Sequence, residues 1–131
     1  DAGLVYSVGS YLQAGRTRAD YFIQYASDPQ NVVKAAGIAV QELRQMQDTP
    51  VGPDELERAK ALLLREIPLS ESSIDTIARG FIARDELDLP LDEPINAARR
   101  YIALTPAQVQ AAFRKWIRPG DVVRVSQGPQ P

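Results

Sequence analysis

Apolar and polar positions set out the elements before any other property of the chain is needed. Residues 4–12 alternate, with Leu4, Tyr6, Val8 and Ser10 facing one way and Val5, Ser7, Gly9 and Tyr11 the other. Period two in a run rich in Val and Tyr predicts a strand. The polar connection Ala14-Gly15-Arg16-Thr17 suits a hairpin turn, and residues 20–27 repeat the alternation with Tyr21, Ile23 and Tyr25 on one face. Two such runs with a short loop between them should pair antiparallel.

From Asp28-Pro29 the period changes to that of a helix. Val32, Ala36, Ala39, Leu43 and Met46 share one face, widened by Val33 and Val40, until Pro50 and Gly52-Pro53 punctuate the chain. Pro53 suits the first turn of a second helix, with Asp54 and Glu55 at its positive end and Leu56, Ala59, Leu63 and Ile67 as its apolar stripe. Pro68 has no amide hydrogen and should break or kink it. Ser70 or Ser72 should cap a third helix, with Ile74, Ile77, Ala78 and Phe81 inward. Pro94 starts a fourth, with Ile95, Ala98 and Ile102 inward. Thr105-Pro106-Ala107-Gln108 starts a fifth with the form of a capping box, and Val109, Ala112, Phe113 and Trp116 form its apolar face. Residues 122–126 read as a last strand.

The order is therefore β-β-α-α-α-α-α-β, an α+β fold with an antiparallel-containing sheet and helices packed on one face. Val32, Ala36, Ala39, Leu43, Leu56, Leu63, Ile74, Phe81, Phe113 and Trp116 are the expected core. Three strands are few for five helices, so residues 1–131 are expected to form a single, N-terminally incomplete domain.

Composition narrows the chemistry. The chain has 131 residues, 44% hydrophobic and 24% charged, the balance of a globule with a core. Fifteen basic and 17 acidic residues give a net charge of -2, which offers no electrostatic footprint for nucleic acid. No apolar run approaches the ~18 residues of a membrane span. There is no histidine and no cysteine. That removes His-based triads, thiol nucleophiles and the usual zinc ligand sets. Asp85-Glu86 and Asp92-Glu93 are carboxylate pairs, but loop solvation and capping explain them more simply than a cation site. Arg65, Arg79, Arg84, Arg99 and Arg100 read as solvated helix faces rather than an anion patch. Tyr6 reads, on its own, as a sheet tyrosine with its hydroxyl at the edge.

Several segments, in order, resemble one family. They are Gly3-Leu4-Val5-Tyr6-Ser7-Val8, the run ending in Ser27-Asp28-Pro29, Glu55-Leu56-Glu57-Arg58-Ala59-Lys60, Leu89-Pro90-Leu91-Asp92, Thr105-Pro106-Ala107-Gln108-Val109 and Val122-Val123-Arg124-Val125. Together they resemble the non-catalytic C-terminal homologous domain of the pitrilysin/insulinase family of zinc metallopeptidases. The resemblance implies a catalytic zinc domain or subunit as partner, carrying an H-x-x-E-H motif, and a peptide substrate enclosed between the two. It implies zinc in that catalytic domain and none bound by this chain. It places the family's substrate-binding tyrosine on Tyr6 and the accompanying arginine before Asp1, and assigns no catalytic residue here. The function implied is the substrate-binding, chamber-forming half of a zinc-dependent metalloendopeptidase. The alternative is a catalytically inactive structural subunit, like the core subunits of the bc1 complex. The compartment is left unknown, the resemblance suggesting bacterial periplasm or cytoplasm.

Overall fold

A computed structural model describes residues 3–129. Its elements run β1 (Ser7–Ala14), β2 (Ala19–Ala26), a short 3-10 turn (Pro29–Asn31), α1 (Val32–Asp48), α2 (Pro53–Ser70), α3 (Ile74–Glu86), α4 (Glu93–Ala103) and α5 (Pro106–Trp116). The fold is α+β, as the pattern predicts. Two compact units divide the chain. One holds the two strands, α1 and the chain from Gln110 onward; the other holds Val51–Val109 together with the turn Gly15–Arg18.

In the first unit β1 and β2 pair antiparallel, from Ser7 opposite Ala26 to Ala14 opposite Ala19. The Gly15 amide donates to the Arg18 carbonyl at 2.8 Å and closes the turn. That turn fixes the register, and with it the start of β1. The ladder opens at Ser7 rather than Leu4 because β2 ends at Ala26, where Ser27-Asp28-Pro29 leads away. The last bond runs from the Tyr6 amide to the Ala26 carbonyl, 2.7 Å. Tyr21, Ile23 and Tyr25 are half-buried between exposed neighbours, as alternation requires. They face α1, where Ala35 and Leu43 are buried and Val32, Ala36, Ala39, Val40 and Met46 half-buried. Val33 does not widen this stripe; it is exposed.

The C-terminal ends of α1 and α5 satisfy each other. Gln47 Nε2 donates to the carbonyls of Phe113 (3.1 Å) and Ile117 (2.8 Å). The Gln47 carbonyl accepts from Gln110 Nε2 (3.0 Å) and Arg114 Nε (2.6 Å). The last carbonyls of a helix have no partner within it; here each helix supplies side-chain donors for the other. The clasp sets Phe113 edge-on to Tyr21, ring centroids 6.5 Å apart.

In the second unit, α2 starts at Pro53 with Asp54 and Glu55 in its first turn, as expected. Its inward face differs from the expected one. Leu56 is buried and Lys60, Leu64 and Ile67 half-buried, whereas Ala59 and Leu63 are exposed. The stripe keeps its helical period but runs through a lysine. The Lys60 stem lies inside while its ammonium donates to the Ile102 carbonyl at 3.2 Å, near the end of α4. Pro68 does not break α2, which continues to Ser70. Proline costs a helix one amide bond and a contact one turn back, and Pro68 lies where the last turn is ending anyway. Neither Ser70 nor Ser72 caps α3. Ser73 does, its Oγ accepting from the Thr76 amide (3.2 Å) while Thr76 Oγ1 accepts from the Ser73 amide (3.1 Å). At the start of α5 the expected box forms: the Thr105 amide donates to Gln108 Oε1 (2.9 Å) and the Gln108 amide to Thr105 Oγ1 (3.3 Å).

Two further expectations are corrected. Residues 122–126 form no strand among the described residues. Alternating valines favour extension, yet a strand exists only where another edge takes its hydrogen bonds, and neither β1 nor β2 pairs with this segment. The core is smaller than the apolar stripes suggest. Ile74 is 87% exposed, Trp116 70%, and Leu63, Phe81, Ile95 and Ile102 are exposed as well. Periodicity marks a face that is able to pack; burial also needs an opposing surface. Within the first unit, α1 and the later part of α5 face the sheet.

Candidate functional site

Tyr6 lies one residue before β1 and is 75% exposed. Its backbone is pinned to the end of β2 through Ala26. Its phenolic hydroxyl donates to Asp28 Oδ1 at 2.6 Å. Asp28 stands at the start of the turn into α1, in extended conformation, with Pro29 next. Its carboxyl group makes no capping hydrogen bond to that turn; it accepts from Tyr6 instead. The hydrogen bond from the phenol to Asp28, then the negative charge of that carboxylate, hold the Tyr6 phenol above its ordinary value of 10.0. Losing the proton there would leave two anionic oxygens in contact.

Beside this pair, the first unit encloses a cleft of about 690 Å³. Its floor is Val8, Ser10, Tyr21, Ile23 and Tyr25; Ala39, Leu43, Met46 and Phe113 stand opposite. Tyr25 donates its hydroxyl to the Val32 carbonyl at 3.0 Å, which ties the sheet to the start of α1. Tyr6 itself is not part of the lining. The cleft is mainly apolar, with Glu42 as its charged residue.

No group of three Asp, Glu, His or Cys side chains gathers among the described residues in a way that could hold a metal ion. The carboxylates near residues 85–93 are used separately: Glu93 pairs with Arg100, and Asp88 with Arg16 at 2.7 Å. Nor do the arginines form an anion patch. Arg79 pairs with Asp75 at 2.6 Å, and the Arg84 guanidinium lies 4.9 Å from the centre of the Phe81 ring.

Sequence reasoning singled out Tyr6 and missed Asp28. The two are 22 residues apart. The hairpin register was the one available signal: it brings the residue before β1 beside the residues just after β2.

Residues 1–63 match the family model described as the Peptidase M16 inactive domain. The match supports the resemblance read from the sequence over those residues, which contain both Tyr6 and Asp28; the segments from Leu89 onward lie outside it. A search of curated proteins found no match.

Proposed function

We propose, starting from a chain whose first 63 residues match a peptidase-family inactive domain, that it is the substrate-binding, chamber-forming half of a zinc-dependent metalloendopeptidase. Its partner would be a catalytic domain or subunit of the same family. The observation that carries this reading is Tyr6. Within the matched region it offers a phenolic oxygen that is exposed and held in place by a charged hydrogen bond. An exposed aromatic with a fixed polar tip suits contact with a peptide backbone.

The described residues do not fit a zinc site. In this reading the metal belongs to the partner, where it would act as a Lewis acid on the scissile carbonyl. The work of this chain is to bind and orient. Tyr6 holds the peptide backbone, and the domain helps to exclude water from it. Preorganised polar groups cost little reorganisation when substrate arrives, and Asp28 provides that preorganisation.

The test is Tyr6→Phe in the complete peptidase, measuring kcat, KM and thermal midpoint. The expected result is a lower kcat/KM with the midpoint nearly unchanged, since the ring is kept and the hydroxyl is at the surface. Wild-type kinetics in the variant would remove the role of Tyr6. A complete protein with no peptidase activity at all would favour the structural-subunit reading.

A further inference from the structure

We draw no further inference here: the strongest candidate, the apolar cleft of about 690 Å³ between the β1–β2 hairpin and α1 in the first unit, lined by Ile23, Tyr25, Leu43, Met46 and Phe113, carries none because nothing in the structure shows what covers it.

Discussion

Gln47 Nε2 donates to the Ile117 carbonyl at 2.8 Å, joining the C-terminal end of α1 to the residue just after α5. The same nitrogen reaches the Phe113 carbonyl, which also accepts from the Ile117 amide at 3.0 Å. Gln47→Ala should therefore deprive the Ile117 carbonyl of its side-chain donor while the Gln47 carbonyl keeps both of its own. Because the contact is part-buried, the expected cost is about 1–3 kcal/mol. Gln47→Glu should cost at least as much at neutral pH, since a carboxylate would face carbonyl oxygens, and should recover on acidification. Thermal midpoints of the three proteins check this; unchanged midpoints would show that the clasp does not stabilise the fold.

Lys60 gives a second stability test. Its stem occupies the inward face of α2 and its ammonium meets both the Ile102 carbonyl and Glu57 Oε1 (2.8 Å). Lys60→Met keeps the stem and removes the charge; Lys60→Ala removes both. Methionine should cost on the order of 1 kcal/mol for the lost charged hydrogen bond, and alanine more, for the lost packing. Chemical denaturation would show the order. Equal losses would mean that the stem contributes nothing.

For the start of α3, Ser73→Ala should cost about 0.5–2 kcal/mol, the range for a lost N-cap. Ser72→Ala should cost little, because the Ser72 hydrogen bond in this turn runs from its backbone amide to Leu69. Thermal midpoints with helical circular dichroism would tell them apart. A larger loss at Ser72 would contradict the capping box.

The Tyr6 phenol should titrate above its ordinary value of 10.0. The difference in phenolate absorbance between wild type and Tyr6→Phe isolates it from the other tyrosines. Asp28→Ala should bring it back toward 10.0. The sign for stability follows from the raised value. The protonated phenol is the form the fold favours, so its contribution is fully present below the unfolded-state value and is lost as pH rises through the folded-state one. The contribution should be insensitive to pH near neutrality. A Tyr6 phenol titrating below 10.0 would rule out the Asp28 contact in solution.

Purified chain should carry no stoichiometric zinc, since it has no histidine or cysteine and its described carboxylates do not cluster. Metal analysis after dialysis checks this directly. One equivalent of tightly held zinc would require a ligand set that the described residues do not provide.

What the sequence determined by itself is local. Alternation at Tyr21, Ile23 and Tyr25 and the turn around Gly15 specified the hairpin. Pro53, and Thr105 with Gln108, specified helix starts, because these signals act within four residues along the chain. The likeness of residues 1–63 to the inactive-domain model was also legible there. Tertiary structure decided the matters that depend on a partner distant in sequence. It placed Lys60 rather than Ala59 on the inward face of α2, because the Ile102 carbonyl was there to receive its ammonium. It left residues 122–126 without a ladder and Trp116 exposed. It also made Asp28, 22 residues away, the acceptor for the Tyr6 hydroxyl. A helical or strand period records which side chains can share a face; which face is covered, and which polar atom meets which, is settled only when separate segments compete for the same surfaces and hydrogen bonds.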